Sequence, residues 1–93
     1  MELGPGKVAV VTGGGSGIGL ALANAFAAAG CSMVLADVQE DALAAAAVEV
    51  GAHGVDVLTV ATDVSKADQV DALAAATVER FGAVHVVCNN AGV

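Results

Sequence analysis

Lys-Val-Ala-Val-Val-Thr-Gly-Gly-Gly-Ser-Gly-Ile-Gly-Leu, residues 7 to 20, is the stretch that decides the fold. Val8 to Val11 form a short, β-branched apolar run that reads as a buried strand. The run stops at Thr12, and Gly13, Gly14 and Gly15 follow. From Ile18 to Ala29 the chain is rich in Ala and Leu, with apolar residues at helical spacing. Strand, glycine turn and helix in that order place a phosphate-binding site at the first β–α junction. Glycines admit positive φ and close approach of the backbone, and the N–H groups of a helix start face an anion.

The spacing of the glycines narrows this further. The G-x-G-x-x-G fingerprint fails, because from Gly15 and Gly17 its third glycine falls on Leu20. A P-loop is excluded, since no Gly-Lys-Ser/Thr closes the turn. The pattern present is T-G-x-x-x-G-x-G, carried by Thr12, Gly13, Gly17 and Gly19, with Gly15, Ser16 and Ile18 inside the same turn.

Working outward, Gly4-Pro5-Gly6 breaks the chain ahead of the first strand. The first helix places Ile18, Leu22, Ala25, Phe26 and Ala29 on one face, with Gly30 at its C′ position. Met33 to Ala36 form a second strand closed by Asp37. Glu40 and Asp41 open a second helix that runs to about Val50, with Leu43, Ala46, Ala47 and Val50 inward. After a turn at Gly51 to Gly54, Val55 to Ala61 form the third strand. Ser65 and Asp68 match a capping box, and Val70, Leu73, Val78 and Phe81 give the third helix its buried stripe. Gly82 ends it, and Val84 to Cys88 make a fourth strand before Asn89-Asn90-Ala91-Gly92-Val93. Strands alternating with helices predict right-handed crossovers and an α/β Rossmann-type parallel sheet in the order 3-2-1-4. The apolar fourth strand is left as an edge, which implies a domain truncated after it, with residues 1–93 as the amino-terminal part. The chain alone is therefore expected to fold poorly.

Composition excludes several classes of function. At 57% apolar and 14% charged, 93 residues cannot be a disordered chain and make one small domain. A net charge of −7, with Lys7, Lys66 and Arg80 as the strong cations, argues against nucleic acid and against anionic lipid. No apolar run approaches a membrane span of about 20 residues, and no signal peptide opens the chain. Cys31 and Cys88 lack metal-ligand or C-x-x-C spacing and read as buried free thiols in a cytoplasmic protein. His53, in a glycine-flanked turn, and His85, near the start of the fourth strand, read as surface residues, and no metal site is expected.

Three further features fall at predicted strand ends. Asp37 lies eighteen residues after Gly19, where dinucleotide-binding folds place an acidic residue on the adenosine ribose hydroxyls; it also suits a cap for the second helix. Asp63 and Val64 follow the third strand, where a short acceptor can meet an adenine amino group. Asn89, Asn90, Ala91 and Gly92 offer two amides and a small pair for packing against the glycine loop.

Together, T-G-x-x-x-G-x-G, Asp37, Asp63-Val64 and N-N-A-G resemble the short-chain dehydrogenase/reductase family over essentially the whole chain. The resemblance implies that Gly13, Gly15, Ser16, Gly17, Ile18, Gly19, Asp37, Asp63, Val64, Asn89, Asn90, Ala91 and Gly92 bind a nicotinamide dinucleotide. It also implies a full-length homo-oligomer transferring hydride between the cofactor and an alcohol/ketone substrate. Asp37, with Ser16 and Val38 where NADP users place a cation, points to NAD over NADP. The family's catalytic Tyr-x-x-x-Lys has no counterpart, because the sequence contains no tyrosine. Ser16, Ser32 and Ser65 all lie in the cofactor half, so no catalytic residue is assigned and the chain alone is expected to be inactive. The alternative is a non-catalytic nucleotide-binding module completed by another chain. Extended epimerase-type relatives fit less well, because Gly13, Gly17 and Gly19 do not match G-x-x-G-x-x-G.

Overall fold

Alternate residues of the first two strands face opposite layers of helix, and that alternation builds the core. The computed structural model describes residues 2–90. It contains β1 (Val8–Thr12), α1 (Gly17–Ala28), β2 (Ser32–Asp37), α2 (Glu40–Gly51), β3 (Val57–Ala61), α3 (Ala67–Phe81) and β4 (Val86–Asn89). The strands form one parallel sheet in the order β3-β2-β1-β4, as expected. Ala9, Val11, Met33 and Leu35 point to one face, where Ala23 and Ala27 of α1 and Leu43, Ala46 and Val50 of α2 cover them. Val8, Val10, Val34 and Ala36 point to the other, against Leu73 of α3. Burial on both faces is why β1 and β2 read as unbroken apolar runs. The register aligns Thr12 with Ala36 and with Asn89, and Asp37 with Ala61. The ends of all four strands therefore meet along one edge of the sheet.

The helix faces depart from the pattern in two places. The inner face of α1 is Gly19, Ala23 and Ala27, while Ile18 is 72% exposed and Ala25 and Ala29 are exposed. Leu22 and Phe26 are half-buried at its flank. α1 starts so close to the sheet that only small residues fit beneath it. On α3, Leu73 and Thr77 are buried, whereas Val70 and Val78 are exposed. Phe81 packs partly against the core; Val78 lies about 100° round the helix from Thr77 and misses the sheet.

The expected capping box at Ser65 and Asp68 does not form. α3 begins at Ala67 with Lys66 as its N-cap and no side-chain cap, because the Asp63 carboxylate takes both the amide and the hydroxyl of Ser65. β3 and β4 each start two residues later than the sequence predicts. Gly30 and Gly82 take the left-handed conformation expected just past α1 and α3. β4 is an edge of the described sheet, with Val87 61% exposed. Among the described residues no helix is long and apolar enough to cross a membrane.

Leu35 is fully buried and also packs beneath Gly14 of the glycine loop. Leu35→Ala is expected to cost about 2–5 kcal/mol of stability. Urea denaturation checks this, and a loss below 1 kcal/mol would show that the loop and sheet close over the gap.

Candidate dinucleotide site

The site forms where β1 gives way to α1, and its motif glycines are required there by conformation at two positions and by contact at a third. Gly13 and Gly17 adopt φ of 66° and 58°, a region that side chains disfavour. Gly19 is required by contact: a Cβ there would overlap the Gly13 carbonyl and lie 2.9 Å from Asn90 Nδ2. A Cβ on Gly14 would lie 3.0 Å from the Val11 carbonyl oxygen and 3.2 Å from Leu35 Cδ2, and the Gly14 amide donates to the Ala36 carbonyl at 3.1 Å. The loop is thus tied to both β1 and β2.

α1 begins at Gly17 with Ser16 as its N-cap in extended conformation, no side-chain cap and no acidic residue in the first turn. The amides of Gly17, Ile18 and Gly19 have no intrahelical acceptor by helix geometry, and the helix dipole adds partial positive charge there. An anion suits this end of the helix.

Thr12, which sequence reasoning placed only in the motif, ties the loop to β4. Its buried hydroxyl accepts the Asn90 amide at 2.9 Å and lies 3.1 Å from Asn89 Oδ1 and 3.3 Å from the Cys88 carbonyl. Its partners are some 77 residues away in the chain, so no local pattern could have found them. Asn89, held to Thr12, lines an apolar groove on the α3 side of the sheet; Asn90 lies on the glycine-loop side beside Gly19. Ala91 and Gly92 lie outside the described residues.

Asp37 ends β2 with its carboxylate fixed between two amides, Gly15 at 3.1 Å and Gln39 at 3.2 Å. The N-cap of α2 is Gln39, so Asp37 braces the entry to that helix without capping it. Asp63, beyond β3, accepts the Ser65 hydroxyl at 2.6 Å and amide at 3.0 Å, and its own amide donates to Gln69 at 2.7 Å. The Ser65 hydroxyl, then its amide, with Lys66 nearby, hold the Asp63 carboxyl below its ordinary value of 3.8. The group is therefore ionised at neutral pH and acts as an acceptor. Its stabilising contacts are complete above that ordinary value and are lost as pH falls through the lower folded-state value.

These residues meet in one cleft of about 430 Å³, lined by Gly13, Ser16, Asp37, Asp63, Val64 and Asn90 of the expected set, together with Val38, Thr62 and Ser65. The sequence marks Val38 only as a position without a cation and does not mark Thr62, although each directly follows or precedes an expected site residue. Gly15 backs the cleft through Asp37, while Ile18 stands exposed at the start of α1. The groove on the α3 side is of similar size, about 380 Å³, but is lined mainly by valine, leucine and alanine and has no helix start to receive an anion. The first cleft, not the apolar groove, carries the polar chemistry.

The histidines lie apart from this edge. His53 reaches Asn24 Oδ1 at 3.1 Å on the surface, and His85 is exposed with Nδ1 accepting the Val8 amide at 3.0 Å. Among the described residues no group of three or more His, Cys, Asp or Glu is placed to hold a metal ion.

The sequence profile described as short chain dehydrogenase matches residues 7–93. The chain belongs to the short chain dehydrogenase family. Within that family it is 49% identical over 87 residues to 1-deoxy-11-beta-hydroxypentalenate dehydrogenase of Streptomyces arenae, covering 94% of this chain and 31% of the relative. Among solved structures, a short chain dehydrogenase/reductase from Burkholderia phymatum in complex with NAD superposes with a TM-score of 0.89 at 49% identity, over 94% of this chain and 31% of that one. L-sorbose reductase from Gluconobacter frateurii, complexed with NADPH and L-sorbose, gives 0.93 at 45% identity over 100% of this chain and 36% of its own. The chain spans about a third of the length of these dehydrogenases. The parallel sheet and its order are theirs as well.

Gly19→Ala is expected to lower stability by about 1–3 kcal/mol, because overpacking must separate α1 from Gly13. The same shift moves the α1 amides, so NADH affinity should fall at least about tenfold. Denaturation and NADH titration of the variant check this; wild-type values in both would contradict the backbone contact.

Proposed function

We propose that this chain supplies the dinucleotide-binding part of an oxidoreductase that transfers hydride between NAD(H) and an alcohol/ketone pair. The observation that carries the reading is the convergence of the uncapped start of α1, Asp37, Asp63-Val64 and Asn90 on one cleft at the carboxyl edge of the sheet. That edge is where open α/β sheets bind nucleotides. Membership of the family supports it, and relatives with NAD and with NADPH bound both match.

In this reading the Gly13–Gly19 loop and the first amides of α1 receive the pyrophosphate, with Ser16 and Ile18 bordering it. Asp37 accepts hydrogen bonds from the adenosine ribose. Asp63 accepts from the adenine amino group, and Val64 borders the ring. Asn89 and Asn90 border the second ribose, and their bonds to Thr12 hold the end of β4 against the loop. When bound, the nicotinamide supplies the hydride acceptor or donor. The chain's own residues bind and orient; none is assigned to proton transfer, for the sequence has no tyrosine. The intact protein is read as a cytoplasmic homo-oligomer. Cys31 and Cys88, both free thiols, fit a reducing compartment, and the oligomer rests on family membership.

The cofactor is NAD in preference to NADP. A 2′-phosphate would lie beside the Asp37 carboxylate, and the flanking Ser16 and Val38 bring no positive charge. Lys66 lines a neighbouring cleft with Val38, but its charge also acts on Asp63. Loss of the ribose hydrogen bonds plus like-charge repulsion amounts to roughly two orders of magnitude in affinity.

The test is kcat/KM of the intact enzyme with NAD(H) and NADP(H), before and after Asp37→Ala. The expected result is a wild-type preference for NAD(H) that narrows by about a hundredfold on substitution. Equal use of the two cofactors by the wild type, or an unchanged ratio in the variant, would contradict the role of Asp37.

A further inference from the structure

Both oxygens of Asp37 are held by backbone amides, Oδ2 by Gly15 and Oδ1 by Gln39, so the carboxylate has one orientation. Gly15 is itself buried, yet nothing in its conformation demands glycine: the positive-φ residues of this loop are Gly13 and Gly17. What demands glycine is space. A Cβ at position 15 would lie 2.9 Å from Asp37 Oδ2, 3.3 Å from its Cγ and 3.0 Å from the Cβ of Ala42. Ala42 belongs to α2, and its Cβ moves only with the helix backbone. The Asp37 carboxylate is the end of a side chain with two rotatable bonds, so it is the part that yields.

We infer that Gly15 is a positioning residue for Asp37 and, through it, a determinant of cofactor choice. The inference rests on the reading of Asp37 as the ribose acceptor. Without a side chain at 15, the Gly15 amide reaches Oδ2 and fixes the charge at the rim of the cleft, where it meets a ribose 2′-hydroxyl or repels a 2′-phosphate. A methyl group there displaces the carboxylate from that amide. The acceptor for NAD is then misplaced and the repulsion of NADP relaxed together.

Binding of NADH and NADPH to the intact protein, measured by titration calorimetry, tests this in a double-mutant cycle of Gly15→Ala and Asp37→Ala. Gly15→Ala is expected to weaken NADH about tenfold, the effect of one charge-assisted hydrogen bond, while NADPH binds a few-fold more tightly as the repulsion relaxes. In the Asp37→Ala background the same substitution should leave the NADH/NADPH ratio unchanged, because its target is gone. Adding Ala42→Gly to Gly15→Ala should restore much of the wild-type ratio by letting the new methyl group shift away from Asp37. A ratio that Gly15→Ala leaves unaltered in the wild-type background, or alters equally in both backgrounds, overturns the inference. Asp37→Ala alone reports on the underlying reading: if it changes the ratio and Gly15→Ala does not, only the present inference falls. A measurement that does not depend on how Gly15→Ala folds is the Gly15 amide resonance, which on Asp37→Ala should move further than that of Gly14. Equal shifts of the two would also overturn the inference.

Discussion

The contact between the backbones of Gly19 and Gly13 is the constraint on which the rest of the structure depends. It leaves no room for a Cβ, so α1 leaves β1 along a path that lies against the sheet. From that approach follows the small-residue face of Gly19, Ala23 and Ala27, and with it the exposure of Ile18. Beside the same contact Asn90 approaches Gly19 and gives its amide to Thr12, so the end of β4 is tied to the glycine loop as well as to β1. A second tie, from Gly15 to Asp37, extends this order to the end of β2. Backbone geometry at one junction thus fixes three strand ends.

The electrostatics follow from the same junction. A chain of net charge −7 that receives an anionic cofactor cannot rely on general attraction. In the proposed reading the pyrophosphate is met by peptide dipoles at the start of α1, where no acidic side chain competes. The acidic groups stand apart from that point, at the ends of β2 and β3, and each is held by local amides or hydroxyls. Charge is therefore sorted along the edge: backbone donors at the start of α1, carboxylate acceptors at the ends of β2 and β3. The apolar groove beside β4 shows no such sorting.

The order of strands and helices, the sheet topology and the positions of Asp37, Asp63 and Asn90 at strand ends were legible in the sequence, because β-branched runs and glycine punctuation carry that information locally. The inner face of α1 was not. Helical periodicity gives weight to bulky residues such as Ile18 and Leu22, whereas the actual face was chosen by clearance, which favours Gly and Ala. The capping box at Ser65 failed for a competitive reason, since Asp63 lies two residues away and takes the hydroxyl first. Val70 was assigned to a buried stripe that requires something opposite it, and it lines the open groove beside the edge strand β4. Thr12 and the Gly15–Asp37 bond join residues far apart in the chain, and only the folded arrangement reveals them.

The central claim is that one edge of the sheet, at the carboxyl ends of β1, β2, β3 and β4, forms the dinucleotide site. Mapping amide chemical-shift changes of the isotopically labelled intact protein during NADH titration tests it most directly. The account predicts the largest changes at Gly15 to Gly19, Val38, Asp63, Val64 and Asn90, with Gly30, His53 and Val55 at the opposite edge unmoved. Changes centred on Val70, Ala74 and Val84 in the apolar groove, with the glycine loop unaffected, would contradict it.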